Sequence, residues 1–163
     1  MQYNNIEELF HAASRDTCCN TSYPYRPQYF SEYHTDIDIM QEETELSLYF
    51  HIPFCKSLCR FCEYTRFLAD DQSLRRHYVE ILKKQVDTYL STHRIKLLYG
   101  LDIGGGTPSA LAADEFEKVL EIARDIMDHT CHVPDFEPSV EFNYQTLDEK
   151  KAELIGEYGF IRA

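Results

Sequence analysis

The sequence predicts an α/β fold with a parallel sheet. From Leu46 onward, short apolar runs alternate with longer segments of helical period. Their order is strand–helix–strand–helix–strand–helix–strand. Proline or glycine closes the first two strands, at Pro53 and at Gly104-Gly105-Gly106. Two architectures satisfy this order, a doubly wound open sheet and a portion of a β/α barrel. In both, the functional site lies at the C-terminal ends of the strands.

The elements follow in order. Residues 1–45 read as an N-terminal extension. Ile6 to Ala13 forms a short helix, and Cys18 to Tyr33, with two Pro and four Tyr, reads as irregular; Thr35 to Thr44 is acidic. Leu46 to Ile52 is the first strand. Ser73 to Thr92 is a helix with Leu74, Tyr78, Ile81, Leu82, Val86, Tyr89 and Leu90 on its apolar face. Ile95 to Ile103 is the second strand. Asp114 with Glu117 suggests a capping box opening a helix to about His129, whose apolar face is Phe116, Val119, Leu120, Ala123, Ile126 and Met127. Ser139 to Tyr144 is a third strand. Thr146 with Glu149 suggests a second capping box, for a helix ending near Gly159. Phe160 to Ala163 opens a fourth strand.

Composition removes several function classes. A chain of 163 residues with 44% hydrophobic content can bury a core, and is too apolar for a disordered acidic chain. No apolar run approaches the ~20 residues of a membrane span. The stretch from Met1 to Asn5 lacks the charged and apolar regions of a signal peptide, so a cytoplasmic protein without a membrane partner is expected. Lys plus Arg number 16 against 28 Asp plus Glu, a net charge of −12, which argues against nucleic acid.

Three of the six cysteines cluster in His51-Ile-Pro-Phe-Cys55-Lys-Ser-Leu-Cys59-Arg-Phe-Cys62. The C-x3-C-x2-C spacing on a loop lets three thiolates converge on one soft metal centre. An iron–sulfur cluster held by three thiolates keeps one iron open to a ligand. A structural zinc site is the rival, because His51 completes a Cys₃His set. Cys18, Cys19 and Cys131 read as ordinary thiols. The second candidate is Asp102-Ile-Gly104-Gly105-Gly106-Thr107-Pro108. Consecutive glycines permit positive φ and close approach of a ligand, and the turn's N–H groups with Thr107 suit a carboxylate or the neighbourhood of an amine. It is either a ligand turn or a plain strand-to-helix turn. The third is Glu141, a carboxylate at a strand end, where burial requires a partner.

These residues carry a resemblance. Tyr49-Phe-His-Ile-Pro-Phe-Cys55 through Cys62 resembles the cluster loop of the radical S-adenosylmethionine superfamily, within its coproporphyrinogen III oxidase-like branch of oxygen-independent oxidases and haem-chaperone relatives. Gly104-Gly105-Gly106-Thr107-Pro108 resembles the same family's glycine motif. Glu141-Phe-Asn-Tyr144 resembles its E-x-N-P segment, with Tyr144 in place of proline.

The resemblance implies the N-terminal half of a partial (β/α) barrel of the radical SAM type, spanning 46–163 behind the irregular extension. It implies that Cys55, Cys59 and Cys62 hold a [4Fe-4S] cluster. It implies further that Gly104, Gly105, Gly106, Thr107 and Glu141 contact S-adenosyl-L-methionine, and that Tyr49 and Phe61 pack near the cluster or cofactor. The implied activity is a radical oxidoreductase step on a porphyrin-like small molecule, with an electron donor such as flavodoxin. Two alternatives remain open, a non-catalytic iron–sulfur or haem-binding module and a zinc-stabilised domain. A complete β/α barrel takes ~250 residues. The chain is therefore expected to be a truncated form or one half of a split protein, whose open sheet edge a second chain would complete.

Overall fold

The structure is a computed structural model that describes residues 43–62 and 65–163. The short helix at Ile6–Ala13, Cys18, Cys19 and nearly all of the expected extension lie outside the described residues. Strand β1 (Glu43–Ile52) opens the sheet, followed by the short strands β2 (Phe54–Cys55) and β3 (Phe67–Leu68). Then come α1 (Gln72–Thr92), β4 (Arg94–Gly105), a 3-10 turn at Pro108–Ala110, α2 (Ala113–His129), β5 (Ser139–Val140) and α3 (Glu149–Glu157).

The main sheet has the order β1-β4-β5, all parallel, and Arg162 bridges onto Ser139 beyond β5. Each new segment therefore joins on the side of the previous one. A doubly wound sheet reverses direction at a switch point, whereas a barrel grows one way round. The observed order is that of the barrel.

Even-numbered residues of β1 face the helices: Phe50 and Ile52 are buried, and Leu46 and Leu48 pack against the same core. On β4, Ile95, Leu98, Leu101 and Ile103 join them. Residues of the opposite face are polar. Tyr99 donates to Glu45 (3.0 Å), Lys96 pairs with Glu45 (3.6 Å) and Ser139 donates to Asp102. A two-sided strand of this kind buries one face under helices and leaves the other for the barrel interior.

Helix α2 buries all six apolar residues expected of it. Its start differs from the expected Asp114–Glu117 box. The N-cap is Ala112, whose N–H donates to the Glu115 carboxylate (3.0 Å). Glu115 also takes a buried ion pair from Arg75 of α1 at 2.7 Å, and this tertiary contact selects it over Glu117.

Helix α1 is rotated from expectation. It buries Arg75, Val79 and Leu82, with Tyr78, Val86 and Tyr89 partly buried, while Leu74, Ile81 and Leu90 are exposed. The sequence places apolar residues on more than one stripe, and Arg75, pointed inward at Glu115, decides which stripe faces the core.

Three further elements differ from expectation. The third strand stops after Val140: Glu141 keeps one ladder bond, its N–H to the Ile103 carbonyl (2.8 Å), but the Asn143 N–H turns away to Ser109 Oγ (3.1 Å). Helix α3 is capped by Asp148, which accepts from the Lys151 N–H (2.9 Å), not by Thr146. Thr146 is occupied by Ser109 Oγ (2.6 Å) and the Asn143 carbonyl (3.1 Å). The expected fourth strand is reduced to the bridge at Arg162.

Candidate metal and cofactor site

The C-terminal end of the sheet gathers the sequence candidates. Register pairs His51 with Gly104 and Ile52 with Gly105. On the other side Ile103 pairs with Val140, so Glu141 follows beside Gly104. The three ends lie side by side because the strands are parallel and in step.

The glycine run serves close packing. A Cβ at Gly104 would lie 2.6 Å from Glu141 Oε2, and one at Gly105 would lie 2.7 Å from the His51 ring. Gly105 also has φ +117°, a region that L side chains rarely adopt. A Cβ at Gly106 would meet the Phe54 carbonyl at 2.8 Å and Cys55 Sγ at 2.9 Å. The run is therefore more than a plain turn, since three elements close over it.

Its N–H groups are already used, contrary to the expectation that they suit a ligand carboxylate. Gly105 donates to Glu141 Oε2 (3.1 Å), Gly106 to the Ile52 carbonyl (2.8 Å) and Thr107 to the Phe54 carbonyl (2.7 Å). The turn offers a ligand space and the Thr107 hydroxyl, which also donates to Cys55 Sγ at 3.7 Å. Glu141 is exposed, yet held in place by the Gly105 N–H.

Beyond Glu141 the chain turns without proline at position 144. The Asn143 carbonyl accepts from Thr146 (2.9 Å) and Leu147 (3.0 Å), and Asn143 Oδ1 accepts from the Gln145 N–H (2.9 Å). An Asn side chain closing its own turn makes the proline dispensable.

The cysteine segment leaves β2 as a loop. Cys55 is buried, Cys62 half-buried and Cys59 exposed, and all three are free thiols. They line one cavity of about 210 Å³ together with Phe61, Arg66, Gly106, Thr107, Asn143 and others. Phe61 lies at its rim, 86% exposed. Tyr49 is 55% exposed on the same face of β1 as His51. The loop returns to the sheet through Phe67 N–H to the Pro53 carbonyl (2.7 Å) and Ala69 N–H to the Cys55 carbonyl (2.9 Å).

Sequence reasoning missed Arg66. Its guanidinium donates to the carbonyls of Cys59 (2.7 Å) and Cys62. A basic residue four positions after the last cysteine was the only signal. It also missed β2 and β3, whose pairing fixes the stem of the loop.

Among the described residues no three His, Cys, Asp or Glu side chains are grouped closely enough to hold a metal ion. The chemistry of the donor set would suit a soft metal centre: three cysteines line one cavity, and no disulfide joins them. His51 fits the rival zinc set less well, because its Nε2 faces the Thr65 carbonyl (3.2 Å) and its ring lies over Gly105. Cys131 lies away from the cavity and is exposed, while Glu63 and Tyr64 are outside the described residues. No helix among the described residues is long and apolar enough to cross a membrane.

Comparison with known proteins gives a consistent picture. No protein-family model matches the chain. The chain is 25% identical over 118 residues to the haem chaperone HemW of Bacillus subtilis, covering 71% of this chain and 30% of that protein. It is 27% identical over 119 residues to the oxygen-independent coproporphyrinogen III oxidase of Mannheimia haemolytica, covering 73% of this chain and 82% of that protein. Among solved structures it is similar to the coproporphyrinogen III oxidase HemN of Escherichia coli, described as a radical SAM enzyme. That match has a TM-score of 0.62 at 25% identity and covers 83% of this chain and 30% of that one. The chain thus spans about a third or less of the length of several relatives that it matches.

Proposed function

The chain is homologous to the coproporphyrinogen III oxidase and haem chaperone branch of the radical SAM proteins, and from that premise we propose that it binds a [4Fe-4S] cluster and S-adenosyl-L-methionine. The observation that carries this reading is the shared cavity. Cys55, Cys59 and Cys62 line it from one side, and Gly106, Thr107 and Asn143 from the other.

Cys55, Cys59 and Cys62 would hold three of the irons. When bound, the cluster and S-adenosyl-L-methionine supply one-electron reduction and hydrogen abstraction from a substrate. The chain's own residues do the positioning. Gly106 and Thr107 line the cavity beside the cluster loop, where the methionyl end of the cofactor would lie. Glu141 presents a carboxylate there, oriented by the Gly105 N–H. Thr107 touches Cys55 and so links the cofactor turn to the metal loop. Tyr49 and Phe61 supply aromatic surface near the same end of β1 and at the cavity rim.

The substrate proposed is a porphyrin-like small molecule, reduced chemistry being driven by a flavodoxin-type donor in the cytoplasm. Residues 1–42 are proposed as an extension outside the radical SAM unit, which starts with β1 at Glu43, three residues before the expected Leu46. Similarity to HemW favours a second reading on the same site, a haem-binding module without turnover.

The test is anaerobic reconstitution with iron and sulfide, followed by S-adenosyl-L-methionine and dithionite. The expected result is a brown protein with about four irons per chain that forms 5′-deoxyadenosine. A brown protein that forms none but binds haem supports the second reading. A colourless protein that retains zinc and takes up no iron refutes both.

A further inference from the structure

Arg66 has a position that the cofactor roles above do not use. Its backbone lies next to β3, which is paired with β2, and the flanking Phe67 N–H is bonded to the Pro53 carbonyl. Its base is therefore fixed to the sheet. From there the half-buried side chain reaches back across the loop. Nη2 donates to the Cys59 carbonyl at 2.7 Å and Nη1 to the Cys62 carbonyl. The Cys62 N–H itself donates to the Cys59 carbonyl at 3.3 Å, so one carbonyl receives two donors at the neck of the loop. Lys56 and Arg60, the other cations of this segment, are exposed.

We propose that Arg66 is a positioning residue for the thiolate loop: its guanidinium fork, on the carbonyls of Cys59 and Cys62, holds the loop closed before a metal binds, and its charge favours the reduced state of a cluster held there. The second half rests on the reading given under Proposed function. The first half stands on the hydrogen bonds alone.

The physical reasons are two. A planar guanidinium can span two carbonyls at once, which a lysine ammonium does not do as a point charge. Partners outside the ligand set orient the ligands and tune the metal, and net charge near an iron–sulfur cluster moves its potential. The cavity is lined by three thiols and by two cations, exposed Lys56 and the anchored Arg66, so a fixed positive charge lies beside the site where thiolate charge would collect.

The experiment compares Arg66→Gln and Arg66→Lys with the unsubstituted full chain. Hydrogen exchange of the metal-free protein is read for the loop amides, with α2 amides as the internal control for folding. Loop exchange, the Cys62 amide above all, is expected to rise about tenfold in both variants while α2 is unchanged. Equal loop exchange in all three proteins overturns the clamp. The reconstituted proteins are then titrated by dithionite with electron paramagnetic resonance detection. Arg66→Gln is expected to shift the midpoint potential to more negative values, and Arg66→Lys to restore it. An unchanged potential in Arg66→Gln overturns the electrostatic role. An unsubstituted chain that takes up no iron refutes the cluster reading, and the exchange measurement still decides the clamp.

Discussion

The glycine turn and the cysteine loop face each other across one cavity, yet they are built differently. The turn is held by strand-derived bonds on every side: Gly105 to Glu141, Gly106 to Ile52, Thr107 to Phe54. Behind it, fully buried Ser109 binds Thr146 and the Asn143 N–H, and Lys151 donates to the Ser109 carbonyl at 3.0 Å. Among the described residues, the loop between Cys55 and Phe67 has sheet bonds at its two ends, with Arg66 across the neck. The contrast teaches where metal binding and folding meet. The turn forms with the sheet, whereas the cysteine loop, clamped by Arg66, would under the proposed function gain its final order from the metal it coordinates.

The largest effect is expected where turn and loop share a support. Arg75 donates to the Ala69 carbonyl at the far end of the loop and to buried Glu115 at the start of α2. Glu115→Ala leaves that guanidinium without its partner, and a cost of about 3–5 kcal/mol is expected in urea unfolding of the metal-free chain. A loss below 1 kcal/mol would show that the pair is not a common foundation.

Next comes the turn itself. Gly106→Ala forces a Cβ against the carbonyls of Phe54 and Ile52 and against Cys55 Sγ. The expected cost is about 1–3 kcal/mol without any metal, together with weaker iron retention because Cys55 is displaced. Unfolding and iron content measured on one preparation check both halves.

The loop should behave in the opposite way. Cys59 is exposed, so Cys59→Ser is expected to change metal-free stability by less than about 0.5 kcal/mol while cutting iron retention to background. A variant that destabilises the metal-free chain as much as Gly106→Ala would show that loop and turn are equally built into the fold.

The smallest expected effect is on pH dependence. Asp148 caps α3 beneath the turn, and the Lys151 N–H holds its carboxyl below the usual range. Asp71 caps α1 just after the loop, held low by the Ser73 hydroxyl and then the Leu74 N–H. Both folded values lie below the unfolded one. Their stabilisation is therefore complete above about pH 4 and is lost as pH falls through the folded values. Thermal melts from pH 6 downward should show a shallower acid decline for Asp148→Asn than for the unsubstituted chain.

Much of the site was legible because its chemistry is local. C-x3-C-x2-C within one loop, three consecutive glycines and a Glu three residues past Pro138 need no knowledge of distant contacts to be singled out. The face of α2 was legible for the same reason, since its apolar residues form one stripe. Helix α1 was not, because Leu74 and Ile81 compete with Val79 and Leu82, and only the partner of Arg75 breaks the tie. The two expected capping boxes failed likewise: Glu115 and Asp148 won over Glu117 and Thr146 through contacts with Arg75 and with Ser109.

The sequence by itself determined the alternation of the long strands and helices, the three-cysteine spacing and the glycine turn, because each depends on neighbours along the chain. Only the tertiary structure decided the one-way growth of the sheet, the use of the turn's N–H groups by Ile52, Phe54 and Glu141, and the reach of Arg66 to the Cys59 and Cys62 carbonyls. The first two join elements that are far apart in sequence. The third needs the loop to fold back on itself. Hydrogen bonds of that kind are set by how the segments meet, which residue types and spacing alone do not encode.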